Sequence, residues 1–373
     1  MIVVLALTSL VAGFAVSMNT EVRLARNADY NDEMEWMGRS GIERARFMLA
    51  NKCPDQRGYD ALNQAWAGGT SPCSNEIEEV SLKGVLIGRG IINISIEDME
   101  RKWDINLVTL AQHPQPEILQ KALQVVGVTD QGLASTIQDS IMDWCNPNST
   151  AGFSGAKDDY YTHLNPPYFC KGGPIDDLSE LLLIKGVSPE IYWGSNSTNH
   201  PVSAYQQHGS GPFDQPAGGR PNMFNNKDEP VYPVGLHDLF SPMGGKLNIN
   251  TASALALQLV PGMDQNAAEH IIQQRAGPDG IDGTEDDVPF QNIGEINGGM
   301  PGGPAPGNLQ GGPTPLATQG MGAYIDVRSY IFLVKVEAEI NNYKRTFYGI
   351  VSRAGGASGG SSQNFKCVKF YWE

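Results

Sequence analysis

Five carboxylates form the densest cluster of chemically active side chains in this 373-residue sequence. They are Asp279, Asp282, Glu285, Asp286 and Asp287, with glycines at 280 and 283 among them. Calcium binds about six to eight oxygen ligands in flexible loops, and glycine permits the tight turns that such loops need. The spacing and the last residue do not match an EF-hand. The loop is therefore a candidate calcium site of another kind, with a solvated turn as the alternative.

A second acidic pair, Asp158 and Asp159, precedes Tyr160 and Tyr161. Carboxylates at the start of a helix accept hydrogen bonds from free backbone N–H groups, and the same oxygens can bind a metal ion. Helix capping is the favoured interpretation, and this pair is the weaker metal candidate.

The five cysteines indicate disulfides rather than a zinc site, because the sequence contains no C-x-x-C spacing. Cys53 and Cys73 bracket one short loop, Cys145 and Cys170 bracket another, and Cys367 stands alone. Each local pair would contribute about 3 kcal/mol in the chain-entropy model. Such bonds require an oxidising compartment such as the bacterial periplasm. The alternative is five unpaired thiols.

Signals of enzyme chemistry and of nucleic-acid binding are weak. The segment 356–360 fits G-x-S-x-G, but it lies in a Gly/Ser linker without a strand-to-helix turn. The six histidines show no metal-ligand spacing. A net charge of −15 disfavours phosphate binding, which depends on Lys and Arg. The sequence therefore predicts a protein that is not an enzyme and has no nucleic-acid partner.

The element that begins the chain is a long helix in two parts. Its first 20 residues carry no charge, and the charged segment 21–51 continues without proline. About 20 apolar residues at ~1.5 Å each span the ~30 Å of a bilayer core, which predicts a single-pass inner-membrane anchor. The second part carries an apolar stripe that begins with Tyr30, Met34 and Met37. This stripe is expected to pack on the protein's own sheet or on neighbouring subunits, and it is the candidate partner-binding face. This plan is typical of type IV pilin-like subunits; the alternative is a signal anchor that tethers a periplasmic domain.

Strand-like segments lie on both sides of a helical block. Residues 80–96 predict a hairpin, and residues 330–340 and 344–351 predict two strands joined by an Asn-Asn-Tyr turn. Neither set has enough strands for independent stability. The economical interpretation is an α+β, type IV pilin-like fold: the long helix packs on one antiparallel sheet, and a large α-helical domain is inserted between its strands. The alternative is three independent domains.

This interpretation divides the chain into five segments. The N-terminal helix covers 1–51, and the first part of the pilin body covers 52–101. The inserted domain covers 102–297 and contains two SAM-like units at 102–194 and 245–297. Residues 298–353 complete the sheet, and residues 354–373 form a linker and a strand-like tail.

Three turns in the inserted domain share a form that is typical of helix-hairpin-helix units. Gly127, Gly186 and Gly262 are predicted to end one helix in the left-handed conformation. Thr129, Ser188 and Asp264 follow as predicted caps of the next helix. Residues 248–262 resemble the periplasmic DNA receptors of competence, so a membrane-anchored DNA-binding module is the alternative function. The acidic charge and the absence of a Lys/Arg cluster favour a compact packing unit instead.

The order of several segments resembles the minor pseudopilin K family of the type II secretion system. The matching segments are EVRLARN (21–27), GIERA (41–45), GAKDDYY (155–161), DLSELLLIKGVSPEIY (177–192), GKLNINTA (245–252) and the final strand region 327–336. Lys157 stands where the family more often has an acidic residue, and the tail with Cys367 departs from the family pattern. The basic leader and peptidase site of family precursors are not present, so the true N-terminus is expected to lie upstream.

The resemblance implies a non-enzymatic role at the tip of the pseudopilus. The expected partners are minor pseudopilins I and J, together with H and the major pseudopilin G. The tip is expected to start assembly in the inner membrane and to contact the secretin or a secreted substrate. The bulk of the chain is then periplasmic, and calcium is the expected cofactor.

Overall fold

The computed structural model describes residues 2–53, 56–69, 81–110, 112–148, 150–194, 232–297, 321–354 and 364–372. The α-helices of these residues are α1 (Ile2–Ala50), α2 (Ile105–Val108), α3 (Pro116–Val126), α4 (Gln131–Cys145), α5 (Asp158–Tyr161), α6 (Pro189–Trp193), α7 (Leu236–Leu239), α8 (Ala254–Gln258) and α9 (Gln265–Arg275). The strands are β1 (Val85–Ile87), β2 (Gly90–Asp98), β3 (Trp103–Asp104), β4 (Phe240–Ser241), β5 (Leu247–Asn248), β6 (Ile325–Asp326), β7 (Ile331–Ile340), β8 (Tyr343–Ala354) and β9 (Asn364–Trp372).

The chain divides into two compact units. The first comprises Met1–Arg57, Leu62–Glu97 and Phe332–Glu373, and the second comprises Gly58–Ala61 and Asp98–Ile331. The second unit is thus inserted between β2 and β7 of the first. The predicted α+β fold with an inserted helical domain is confirmed.

The first unit consists of α1 and a five-stranded sheet of order β1-β2-β7-β8-β9. Alternate residues of β2 and β7 are buried, as expected for a sheet with one covered face. The buried cluster joins Ile92 and Ile94 of β2, Phe332 and Val334 of β7, and Met34 of α1. Among the residues that the structure describes, no helix is both long and apolar enough to cross a membrane.

Glycine permits the close approach of α1 to the sheet. A Cβ atom added at Gly41 would lie 2.7 Å from Cγ1 of Val336, and one added at Gly349 would lie 2.6 Å from Cδ1 of Ile42. Both distances are shorter than carbon atoms tolerate. Side chains at these two positions would therefore push the helix away from the sheet.

The ends of the sheet follow local sequence signals. Asn341 and Asn342 have φ of 49° and 68°, which are the values of a two-residue hairpin turn. Tyr343, which was predicted to belong to the turn, begins β8 instead. The strand-like tail forms β9, which pairs antiparallel with β8 through a bulge at Ile350/Val351. Arg46 of α1 donates from Nε and Nη2 to the carbonyl oxygen of Phe365, at 2.9 and 2.6 Å. The tail is therefore an edge strand of the sheet.

The second unit has its own apolar core and contains the predicted turns. Gly127, Gly186 and Gly262 have φ of 104°, 87° and 84°, which confirms the left-handed conformation. Gly127 directly ends α3, whereas the helices before Gly186 and Gly262 end earlier, with Ile184 and Leu259 as their C-caps. Ser188 and Asp264 cap α6 and α9 as predicted. The cap of α4 is Asp130 rather than Thr129, because the helix begins one residue later than expected. The helix before Gly186 is a 3-10 helix, Leu178–Leu183.

Candidate protein interface

The apolar stripe of α1 faces the sheet of its own unit. Met34 is fully buried and Met37 is 1% exposed. Tyr30 is half-buried, lies 5.5 Å from the guanidinium of Arg89 and accepts a hydrogen bond from Asn341 Nδ2 at 3.2 Å. Of the two surfaces expected for the stripe, Met34 and Met37 therefore pack on the chain's own sheet and stabilise its core. A partner-binding role for the half-buried Tyr30 stays a prediction.

The opposite side of α1 exposes two large aromatic side chains. Trp36 is 71% exposed and Phe47 is 54% exposed. At about 100° per residue, these two positions lie within about 20° of each other around the helix. Exposed apolar residues of this size mark interaction surfaces when they line one face. Trp36 and Phe47 define what we call the outer face of α1.

Ion pairs and hydrogen bonds fix the polar residues around the outer face. Arg39 donates to Glu35 Oε1 at 2.8 Å, Ser40 Oγ donates to the carbonyl oxygen of Trp36 at 2.8 Å, and Arg46 pairs with Glu43 at 2.6 Å.

The exposed apolar side chains continue along the N-terminal part of the helix. They are Val3, Val4, Leu7, Leu10, Val11, Phe14, Val16, Met18, Val22 and Leu24.

Arg89 clamps the β1–β2 hairpin to α1. Its side chain pairs with Glu33 and with Asp29, the latter at 2.9 Å, and its backbone N–H donates to Glu33 Oε1 at 3.0 Å. The hydrogen bond from the Arg89 side chain lowers the pKa of Glu33. The clamp holds the helix in register on the sheet, which leaves the outer face turned away from the sheet.

The predicted calcium loop uses several of its carboxylates internally. Asp282 pairs with Arg275 at 2.9 and 2.7 Å. Asp286 accepts from Thr284 Oγ1 at 2.8 Å and from the N–H of Asp279 at 3.1 Å. The Thr284 hydrogen bond lowers the pKa of Asp286, whereas burial raises the pKa of Asp287. Within the described ranges, no three His, Cys, Asp or Glu side chains are placed to hold a metal ion.

The weaker acidic pair has a structural use. Asp158 Oδ1 accepts from the N–H of Cys170 at 2.8 Å, and both carboxylates lie in the first turn of α5. This arrangement closes the loop between α5 and Cys170. A structural role was favoured over metal binding from the sequence, but this role is not helix capping, because the N-cap of α5 is Lys157 and no side chain caps the helix.

The cysteines differ from the sequence prediction at one pair. Cys53 is disulfide-bonded, and its predicted partner Cys73 lies outside the described residues. Cys145 and Cys170 are free thiols, so the disulfide predicted between them is wrong. The sulfur of Cys170 points to the end of α4, at 3.7 Å from the carbonyl oxygen of Asp143, and burial raises the pKa of both thiols. Cys367 is also free.

A buried carboxylate network in the second unit was not predicted. Asp98 Oδ2 accepts from Thr251 Oγ1 at 2.5 Å, from Ser329 Oγ at 2.6 Å and from Asn248 Nδ2 at 3.2 Å. Glu100 Oε2 accepts from the N–H of Tyr330 at 2.9 Å. Burial raises the pKa of Asp98 to about 6 and that of Glu100 to about 8. The sequence signal for this network is the LNIN segment 247–250, because asparagine is unfavourable inside a helix and its amide can instead bind a buried carboxylate.

The fold is pilin-like: a long helix packs on an antiparallel sheet, and a helical unit is inserted between the strands. Residues 104–194 match the family model for the type II secretion system protein K. The predicted resemblance to the minor pseudopilin K family is confirmed by this match.

The fold is also similar to a chain in the crystal structure of the GspK-GspI-GspJ complex from the enterotoxigenic Escherichia coli type 2 secretion system. The TM-score is 0.59 at 15% identity, and the match covers 94% of this chain and 99% of that chain. Comparison with curated proteins gave no significant match. The DNA-binding alternative is not favoured by these comparisons.

Proposed function

We propose that this protein is a non-enzymatic minor pseudopilin at the tip of a type II secretion pseudopilus, where it helps to start assembly. The match of residues 104–194 to protein K and the fold of the GspK-GspI-GspJ complex chain support this function. The observation that carries it is the outer face of α1, where Trp36 and Phe47 are exposed beside a sheet that already covers the other side.

The partners of the outer face are minor pseudopilins I and J, which pack their own long helices against it. Exposed tryptophan is the residue most enriched among energetically dominant interface contacts. The major pseudopilin G and minor pseudopilin H then assemble beneath this tip complex. We place the chain at the tip because its pilin-like unit carries a large inserted second unit, mainly Asp98–Ile331. From the tip, the protein contacts the secretin or a secreted substrate.

Before assembly, the N-terminal part of α1 anchors the chain in the inner membrane as a single pass. Exposed apolar side chains from Val3 to Leu24 support this anchor, because no described residue of the protein covers them. The bulk of the chain lies in the periplasm. The disulfide at Cys53 is compatible with that oxidising compartment.

Co-expression with the cognate I and J proteins tests this function. The chain is expected to co-purify with both in one complex on size-exclusion chromatography. Trp36→Ala with Phe47→Ala is expected to weaken the complex by about 2 kcal/mol or more, since each removes an exposed aromatic anchor. The matched control is Phe169→Ala in the second unit, which removes an aromatic ring that is 74% exposed. A chain that stays alone with both partners present contradicts the proposal.

We also propose that the acidic loop binds calcium through Asp279, Glu285, Asp286 and Asp287, with Asp158 and Asp159 as a weaker site. The left-handed glycines 277, 280 and 283 give the loop the tight turns that a calcium loop needs. Asp282 is less suited, because Arg275 occupies both of its oxygens. Calcium that binds only the folded loop raises the melting temperature by mass action, so a chelator should lower it.

A further inference from the structure

The C-terminal strand β9 has the composition of a strand that pairs readily with other strands. It contains nine residues, and five of them are aromatic or β-branched: Phe365, Val368, Phe370, Tyr371 and Trp372. Among the described residues β9 is the last strand in the order of its sheet, so one of its two edges carries no neighbouring strand. An open edge of this composition is a template for pairing with another chain.

A bulge interrupts β9 near its middle. Cys367 pairs with Val351 of β8. The next pair joins Lys369 to Ile350, so Val368 is an extra residue without a partner on β8. Its side chain is 57% exposed. A bulge bends its strand and increases the local twist, which disturbs the regular row of N–H and C=O groups that a further strand needs.

Side chains occupy two carbonyl oxygens of β9. Arg46 of α1 donates from Nε and Nη2 to the carbonyl oxygen of Phe365, and these two hydrogen bonds use both lone pairs of that acceptor. The thiol of Cys367 donates to the carbonyl oxygen of Lys369 at 3.5 Å. Both oxygens are therefore engaged before any further strand approaches.

Two exposed lysines lie on either side of the bulge. They are Lys366 and Lys369, and β9 contains no Asp or Glu, although the whole chain has a net charge of −15. Two copies of β9 paired edge to edge would bring four ammonium groups onto adjacent strands. Like charges across neighbouring strands are destabilising, and lysine on an edge strand opposes pairing.

We propose that the bulge at Val368 and the charges of Lys366 and Lys369 keep β9 from pairing with β9 of a second copy of this chain. Arg46 and Cys367 add to this effect, because they occupy carbonyl oxygens of the strand. Copies of the chain then associate only through other surfaces. The proposal is independent of the outer face of α1 and of the pseudopilus role.

Sedimentation velocity of the purified full chain in detergent tests the proposal. The test variant lacks Val368 and carries Lys366→Thr and Lys369→Thr, which gives β9 a continuous register with β8 and removes both charges. The matched control carries Lys335→Thr and Lys344→Thr on β7 and β8, which makes the same change of charge away from the open edge. The test variant is expected to self-associate about tenfold more tightly than the wild-type chain, and the control is expected to match the wild-type chain.

Hydrogen exchange locates the new contact. Backbone amides of residues 364–372 should exchange more slowly as the concentration of the test variant rises. If the deletion of Val368 lowers the melting temperature, the variant with Lys366→Thr and Lys369→Thr alone decides, because both side chains are exposed and the fold should persist. Its self-association should still exceed that of the wild-type chain.

Three results would overturn the proposal. The first is self-association of the folded test variant that equals that of the wild-type chain. The second is a control that associates as tightly as the test variant, since the change of net charge alone would then explain the result. The third is association of the test variant without slower exchange in residues 364–372.

Discussion

Replacing Glu100 by glutamine should stabilise this protein near neutral pH. Glu100 is 1% exposed, and burial is the main cause of the rise of its pKa from 4.5 to about 8, with the charge of Asp98 next. The folded state therefore keeps a proton that the unfolded chain releases above about pH 4.5. This contribution to stability is fully present below pH 4.5 and is lost as the pH rises toward 8.

The size of the effect follows from the same values. A pH of 7 lies about 2.5 units above the pKa of this carboxyl in the unfolded chain. Each unit corresponds to about 1.4 kcal/mol, so the free energy of unfolding at pH 7 is roughly 3 kcal/mol lower than it would be if the carboxyl stayed protonated in both states. Glutamine is neutral at every pH and keeps an acceptor for the N–H of Tyr330. Because the amide fits less well than the acid, we expect a gain of about 1–3 kcal/mol at pH 7.5 and no gain at pH 4.5.

Urea unfolding at pH 4.5, 6 and 7.5 measures this effect. The wild-type free energy of unfolding should fall across the series, and Glu100→Gln should flatten the fall. Glu97→Gln is the control, because Glu97 lies three residues earlier and is exposed. A wild-type free energy that rises from pH 4.5 to 7.5, or a variant with an unchanged slope, would refute the reasoning.

Three further predictions concern the packing of α1, the disulfide and the acidic loop. Gly41→Leu should lower the free energy of unfolding by about 1–3 kcal/mol, because the side chain would overpack against Val336. A substitution at Gly13, which has open space around it, should leave this free energy unchanged. Thermal melts of the two variants measure the difference. Cys53→Ser should cost about 2–4 kcal/mol, and Cys145→Ser clearly less, because Cys53 is disulfide-bonded and Cys145 is a free thiol. Equal losses in denaturant melts would contradict this. Asp286→Asn combined with Asp287→Asn should abolish the rise in melting temperature at millimolar calcium. The control variant Glu269→Gln on α9 should keep this rise. A rise that persists in the double variant would show that calcium binds elsewhere.

The sequence allowed the elements to be predicted, because their signals are local. The charge-free start and the apolar stripe predicted α1, Gly127 predicted the end of α3, and the Asn-Asn-Tyr turn predicted the β7–β8 hairpin. It did not show which surface the stripe covers. Met34 and Met37 would be apolar whether they packed on their own sheet or on a neighbour, so the outer face with Trp36 could be found only from the structure.

Long-range polar contacts also could not be predicted from the sequence. Asp98, Asn248 and Ser329 lie up to 231 positions apart and meet in one network, and nothing near each residue indicates the others. The Cys145–Cys170 error has the same origin, because spacing along the chain does not fix the direction of a thiol. The sulfur of Cys170 turns to the backbone of Asp143 instead.

We propose above that the outer face of α1 holds the protein in a complex with minor pseudopilins I and J. A photo-crosslinking phenylalanine analogue at position 36 of the full chain, co-expressed with both partners, measures this directly. A covalent adduct with I or J is expected from position 36 and none from position 86, where Leu86 is 78% exposed on the sheet. Adducts from position 86 and none from position 36 would contradict it.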